Sequence, residues 1–505
     1  MNHWIVVPVV LPAMVAPLIV LAMRNDLLLQ RVFGLASSVV MVALAGGLLW
    51  SASVNPPQAY FLGDWPAPFG IVLVLDRLAA LMVALTAVLA LVVQLYVVGS
   101  GWDARGKHFH ALFLFQVMGL NGAFLTGDAF NLFVFFEVLL IASYGLMIHG
   151  GGRDRLRAGV QYVAFNLIGS TLLLFALALV YAVTGTLNLA DLAVKVASLP
   201  PGDAALLRVA GVLMMLVFAV KAALVPLQFW LPGTYANAPG PVAALFAVMT
   251  KVGAYAVIRV YTLAFPTDTA ATGTLFADLL APAALVTIAV GSVGVLGATT
   301  LARQAAFAAI ASMGMLFVAV AAFQPQATSA ALYYLVHSTL AGAALFLIVD
   351  LVADRRGSGA LHGASVPFVQ SGLLAALFLA AAVALAGTPP LSGFIGKLLV
   401  LDALRGDMVL VWSVVLAGSF LMILGFARAG SHVFWKSQAS APDDQTDDRH
   451  GPDALAFAAV FALMAGLAAL TVFAGPVTGW LDTTAQGLHD REAYIGAVMA
   501  REGEG

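Results

Sequence analysis

An all-α polytopic membrane protein of about 14 transmembrane helices is the fold class that the sequence predicts, and three observations predict it. Hydrophobic residues make up 62% of the 505 positions and charged residues only 10%, whereas an ordinary soluble domain is about one-quarter charged. The apolar residues come in runs of roughly 20, each long enough to cross a hydrocarbon core about 30 Å thick. An unsatisfied backbone group in lipid costs several kcal/mol, and the runs are too long for barrel strands, so they are read as helices.

Composition also excludes several classes of function. A formal net charge of −2 offers no basic surface for nucleic acid. The chain has no Cys, which rules out disulfides, thiolate metal sites, iron–sulfur clusters and cysteine nucleophiles together. Its histidines argue against haem. His3, His108, His110, His362, His432, His450 and His489 lie near the termini or in polar connections, His149 sits where a helix leaves the membrane, and only His337 lies inside an apolar run. No cofactor and no metal site is expected.

The first run, within MNHWIVVPVVLPAMVAPLIVLAM, lacks a basic leader and a small-residue cleavage site, so it reads as a retained span. The others fall near 32–50, 70–98, 110–127, 129–149, 159–184, 206–231, 239–264, 276–300, 303–322, 328–353, 367–403, 409–435 and 454–475, with 206–231 and 367–403 interrupted. Connections after odd-numbered spans carry Arg24, Arg31, Arg105, Lys107, Arg153, Arg155, Arg157, Arg303, Arg355, Arg356, Arg428, Lys436 and Arg449. Those after even-numbered spans carry Lys195, Arg208, Arg405 and the tail residues Arg491 and Arg501. This bias places the odd connections in the cytoplasm and both termini outside; the expected location is a bacterial inner membrane, with the termini periplasmic. The stretch SQASAPDDQTDDRHGPD (437–453) reads as a solvated cytoplasmic loop.

Ionisable groups deep inside apolar runs are the informative residues, because such groups face a partner or a water-filled path. Glu137 lies in NLFVFFEVLLIASYGL, Lys221 in MLVFAVKAALVPLQFW, Lys251 in ALFAVMTKVGAYAV, His337 in LYYLVHSTLAGAALFL and Lys397 in PPLSGFIGKLLVL. A buried ion pair that merely pins two helices is the competing reading for Glu137 and Lys221, and a hydrogen-bonded core histidine is the competing reading for His337. Lys251 and Lys397 have no obvious acidic partner in their own spans. Desolvation disfavours a charged lysine and a nearby carboxylate favours it, which suits a group that takes up and releases a proton near neutral pH.

Two of the spans should be broken. Pro226 follows Lys221 by five residues, and Pro389 and Pro390 precede Lys397 across a short apolar segment. Proline removes a donor and clashes with the preceding turn. Interrupted spans in corresponding positions of two halves point to repeats and to the ion path of a transporter, with a simple hinge as the plain alternative.

The segments GDAFNLFVFFEVLLIASYGL (127–146), KAALVPLQFWLPGTYANAPGPVAALFAVMTKVGAY (221–255) and GTPPLSGFIGKLLVL (387–401) resemble the antiporter-like membrane subunits shared by respiratory complex I and the Mrp-type cation/proton antiporters. The similarity spans roughly residues 70–430 and looks most like the D-type subunits of the Mrp/Pha antiporters. It implies two inverted five-helix repeats, about residues 108–265 and 275–436, between N-terminal helices (about 1–100) and a cytoplasmic loop, last helix and tail (about 437–505). It implies a Glu137–Lys221 pair and a proton path along the membrane midplane through Lys251, His337 and Lys397. Many relatives carry lysine where this chain has Ala341, so the middle of that path would rest on His337 and water. That feature and the less polar stretch LARQAAFAAIASMG (301–314) are similar to the potassium-exporting branch.

The expected function is therefore proton translocation within a multisubunit K⁺/H⁺ or Na⁺/H⁺ antiporter, with other subunits, protons, monovalent cations and the lipid bilayer as partners, and with no enzymatic activity of its own. A proton-pumping subunit of a quinone oxidoreductase or membrane-bound hydrogenase, and a non-conducting scaffold, are the alternatives.

Overall fold

The computed structural model describes residues 3–361, 368–436 and 453–499. Residues 437–452 of the polar loop, with Arg449 and His450, lie outside the described residues, as do His362 and Arg501. Among the described residues, eleven helices are long and apolar enough to cross a membrane and three shorter apolar helices accompany them, which makes up the expected 14 spans.

The N-terminal part comprises α1 (Val7–Ala22), α2 (Leu27–Val54) and α3 (Arg77–Ser100). Then come α4 (Phe109–Leu125), α5 (Ala129–Met147), α6 (Arg153–Thr184), the short amphipathic α7 (Leu189–Ser198), α8 (Ala205–Ala222), α9 (Trp230–Asn237) and α10 (Gly240–Leu263). A second series follows: α11 (Leu275–Gly297), α12 (Leu301–Val320), α13 (Pro325–Arg356), α14 (Ser371–Ala386), α15 (Ser392–Ala403) and α16 (Met408–Gly430). The chain closes with α17 (Ala454–Val472), α18 (Ala474–His489) and α19 (Arg491–Met499). α8 with α9, and α14 with α15, are the two interrupted spans.

Two stretches differ from the sequence reading. The third span starts at Arg77, not near 70, because Val72–Leu75 forms strand β2, paired antiparallel with β1 (Gln58–Phe61). A continuous V-L-V-L run suits a buried strand as well as a helix, and Asp76 ends it by accepting the Ala79 backbone N–H (2.9 Å) and so capping α3. The residues after the last span, read only as a tail, form α18 and α19.

α10 and α13 are the core of the bundle. Every residue of α10 from Pro241 to Leu263 is buried, and α13 packs on α10, α12, α14, α15, α17 and α18. A helix apolar all round belongs in such a position. The hairpin is tied to the α4–α5 turn where Gly127 N donates to Val72 O (2.8 Å), and that turn to α7 where Leu189 N donates to Gly127 O (2.9 Å). α18 and α19 cover the same face: Trp480 Nε1 donates to Ser53 Oγ (2.9 Å), Ser329 Oγ to Asp482 (2.5 Å) and Arg491 to Asp268 (3.5 Å). His3 meets Tyr60 there as well (3.3 Å), so both ends of the described chain lie on the face of the even-numbered connections.

Candidate functional site: buried lysines beside two helix breaks

The first break opens after α8. Ala223 takes a left-handed conformation (φ 54°) and the helix stops one residue past Lys221. Freed backbone groups at membrane depth need partners, and neighbours supply them. Val225 N donates to Thr287 Oγ1 on α11 (2.9 Å), and the Trp230 indole N–H donates to Val220 O (3.0 Å). Lys221 stands in the last turn of α8, where the carbonyl end of the helix favours a cation. Its Nζ donates to Asn166 Oδ1 on α6 (3.1 Å).

The expected contact between Lys221 and Glu137 is not direct. No ion pair joins them among the described residues, and Glu137 Oε1 is buried without a hydrogen-bond partner there. Asn166 is what the lysine touches. A small cavity of about 10 Å³ borders Lys221, Asn166 and Trp230 on one side and Met249 and Val252 of α10 on the other.

Lys251 lies on α10 between Met249 and Val252, 2% exposed, with Nζ 3.2 Å from Met313 Sδ on α12. A second cavity of about 10 Å³ borders Lys251, Thr250, Ser312 and Ser338 and reaches Leu385 near the end of α14. Each cavity is close to the room one water needs.

His337 neighbours Ser338 on α13 and is fully buried. Its Nδ1 shares a hydrogen bond with Ser392 Oγ (2.9 Å) at the start of α15, and its Nε2 edge faces the Ala384 carbonyl at the end of α14. Gly393 allows this approach, since a Cβ there would collide with Ala384 O and come within 2.8 Å of His337 Nε2. Lys397, on α15, spans the second break. Its Nζ donates to Ala386 O at the end of α14 (2.7 Å) and to Ser419 Oγ on α16 (2.8 Å). Gly387, at φ 75°, turns the chain beside it.

The hydrogen-bond partners of the three lysines are therefore neutral, while Glu137 lies near enough to act on Lys221 by charge. The structure brings Lys251, His337 and Lys397 to one connected region around α10, α13 and α15, and it places Lys221 across a cavity from α10. Pro226 lies within the first break, and Pro389 and Pro390 within the second. The sequence reading missed Asn166, Met313, Ser392 and Ser419, which are neutral residues with no charge signal. It also missed Arg259, which lies on the Lys251 face of α10 at helical spacing and forms a two-bond pair with Asp76 (2.6 and 2.7 Å). His110, read as part of a polar connection, is fully buried in the first turn of α4 and bonds Asp103 (3.0 Å).

Comparison with known proteins agrees with this architecture. The family described as "NADH:quinone oxidoreductase/Mrp antiporter, TM" matches residues 126–425. The chain is 40% identical over 475 residues to the D-type subunit of a probable K⁺/H⁺ antiporter from Rhizobium meliloti (strain 1021), covering 86% of this chain and 88% of that protein. It is 37% identical over 504 residues to the D-type subunit of the Na⁺/H⁺ antiporter from Bacillus subtilis (strain 168), covering 99% and 100%. Among solved structures, a chain of the Mrp complex from Dietzia sp. DQ12-45-1b superposes with a TM-score of 0.89 at 29% identity, over 99% of this chain and 100% of that one. The match covers both broken spans and every buried lysine, and the chain belongs to the NADH:quinone oxidoreductase/Mrp antiporter transmembrane family.

Proposed function

We propose that this chain is the D-type subunit of a multisubunit monovalent cation/proton antiporter, exchanging K⁺ or Na⁺ for protons, and that it carries the protons. The path runs from Lys251 through the neighbouring cavity to His337 and on to Lys397, with Lys221 and Glu137 at its entrance. The observation that carries this reading is that Lys251 and Lys397 are buried with no carboxylate partner among the described residues: Lys251 Nζ meets Met313 Sδ, and Lys397 Nζ donates to Ala386 O and Ser419 Oγ. A lysine kept for a structural ion pair would need a carboxylate beside it, because an unpaired buried charge is strongly destabilising. A lysine that alternates between ammonium and amine needs a site that tolerates both forms.

Two small cavities on either side of α10 support water-assisted transfer over steps too long for direct contact. Transport, not catalysis of a covalent reaction, is the work of this subunit. The Lys/Arg bias further supports a cell membrane placement with the odd-numbered connections in the cytoplasm and both termini outside. The names of the relatives support K⁺ and Na⁺ equally.

The test uses the purified complex in proteoliposomes, with proton exchange driven in turn by K⁺, Na⁺ and Li⁺. The wild-type complex exchanges protons for at least one of these ions. Glu137→Gln assembles but exchanges slowly, and Glu137→Asp, which keeps the charge, is partly active. Normal exchange by assembled Glu137→Gln removes Glu137 from the entrance.

A further inference from the structure

Asp350, on α13, is a carboxylate that the path above leaves unused. It is half-buried in the last two turns of the helix, on the face of the odd-numbered connections, where the carbonyl end of α13 disfavours an anion. Its hydrogen bonds come from neutral donors: the Tyr96 hydroxyl (2.7 Å) and the Trp102 indole N–H (2.8 Å) both donate to Oδ2. Oδ1 takes no hydrogen bond from the described residues and lies against the start of α10, where a Cβ on Gly240 would come within 2.5 Å of it. Arg105, Arg155 and Asp354 are the charged groups around it, and none of them forms an ion pair with it among the described residues.

The placement of Asp350 leads to Lys251. Ser338, Gly342, Phe346 and Asp350 follow one another at four-residue spacing and so share one face of α13. Gly240, Ala247 and Lys251 share a face of α10, and the two faces meet in opposite directions. Gly240 meets Asp350, a Cβ on Gly342 would stand 3.9 Å from Ala247 Cβ, and Lys251 and Ser338 border the same small cavity. Gly342 and Phe346 line that cavity too, so it ends one helical turn short of Asp350. The Phe346 ring, packed edge-on to Tyr235 with centroids 5.9 Å apart, stands on the seam between the carboxylate and the cavity.

We propose that Asp350 is the proton-exchanging group where the path opens on the face of the odd-numbered connections, with Phe346 as the gate between it and the Lys251 cavity. The proposal rests on the proton path proposed above. Asp350 Oδ1 takes a proton from water on that face, while Tyr96 and Trp102 hold Oδ2 in both states. When the Phe346 ring swings aside, water carries the proton along the seam to the Lys251 amine; the amine becomes an ammonium and Asp350 a carboxylate again. The same steps reversed release a proton to that face.

The test uses the assembled complex in proteoliposomes at equal complex content. Asp350→Asn keeps an acceptor for Tyr96 and Trp102 but cannot take up a proton, and is expected to exchange about ten-fold more slowly than wild type, with Asp350→Glu keeping much of the rate. The chain has no cysteine, so Asp350→Cys introduces the one thiol of this subunit. This variant should be slow until treated with 2-carboxyethyl methanethiosulfonate, which restores a carboxyl and part of the rate. The sulfonatoethyl reagent restores a charge that stays unprotonated and should not help; wild type treated with each reagent controls for thiols of the partner subunits. Should Asp350→Asn fail to assemble, the two adducts of Asp350→Cys still decide, because a purely structural anion predicts that both act alike. Wild-type exchange by Asp350→Asn, or equal recovery with the two reagents, overturns the proposal. Lys251→Ala keeps the two claims apart: if it is slow while Asp350→Asn is normal, the path stands and opens elsewhere, whereas normal exchange by Lys251→Ala removes the path and this opening with it.

Discussion

His337 shows how a single side chain can be weighed between a structural and a functional role. It is fully buried, with one ring nitrogen on Ser392 Oγ and the other beside the Ala384 carbonyl at the end of α14. These contacts suit a packed core histidine as well as a relay, so transport by variants has to separate the two readings. Its neighbour one turn on, Ala341, cannot relay a proton, so the middle of the proposed path would depend on this imidazole. His337→Ala is expected to assemble and to lose most exchange, and adding Ala341→Lys to recover part of it by placing an ionisable group within about one turn. Antiport and complex yield measured on the same preparations decide the matter; a structural role predicts lost yield that the added lysine cannot repair. Charge made His337 and the four carboxylate and lysine positions visible in the sequence. Their contacts were not, because Asn166, Met313, Ser392 and Ser419 look like any other polar or sulfur-bearing residues of apolar runs. The Glu137–Lys221 pair is what the family resemblance implies, and the lysine's hydrogen bond goes to Asn166.

At the scale of the element, the two broken helices were legible because proline and glycine act on the backbone wherever they stand. Both interruptions fall where Pro226 and Pro389–Pro390 required them. The hairpin was not legible, since the apolar strand Val72–Leu75 runs straight into the apolar helix after Asp76. The second break depends on two glycines that admit neighbouring atoms. Gly393→Ala would press a Cβ against Ala384 O and the His337 ring, and is expected to cost about 1–3 kcal/mol. Gly387→Ala adds a left-handed non-glycine residue whose Cβ meets the Lys397 stem at 2.8 Å from Cε. Gly47→Ala in α2 is the control, with no atom within 4 Å of its new Cβ. Thermal unfolding of the three variant complexes should separate the first two from the third; equal curves would mean that the break is not tightly packed.

The whole molecule places its path between two ordered ends. Residues 108–265 and 275–436 follow the same order, three spans, a broken fourth and a fifth, and five spans per series require the second to start from the opposite face. This supports the two inverted repeats. On the face of the odd-numbered connections, Asp103 anchors the N-terminal helices through two bonds from Arg31 (2.7 and 2.8 Å) and one with His110 (3.0 Å). Burial raises the Asp103 pKa, but the hydrogen bonds and charges of Arg31 and His110 outweigh it and hold the carboxyl at about 2. A carboxyl held below its unfolded value stabilises the fold above that value, and loses the contribution as pH falls through the folded one. Wild type should therefore exceed Asp103→Asn by about 2 kcal/mol at pH 7, with the gap closing between about pH 4 and pH 2. Unfolding temperatures of both across that range check the sign; a gap that widens in acid would be wrong for this anchor.

The central claim is that protons pass through Lys251 by its own protonation and deprotonation. Lys251→Arg preserves the positive charge between α10 and α12 but cannot readily give up its proton. The most direct measurement is cation-driven proton exchange by the reconstituted complex carrying Lys251→Arg, beside Lys251→Ala and wild type at equal complex content. The account predicts that the arginine variant assembles and exchanges hardly better than the alanine variant. Exchange at the wild-type rate by Lys251→Arg would show that a fixed charge is enough, and would contradict it.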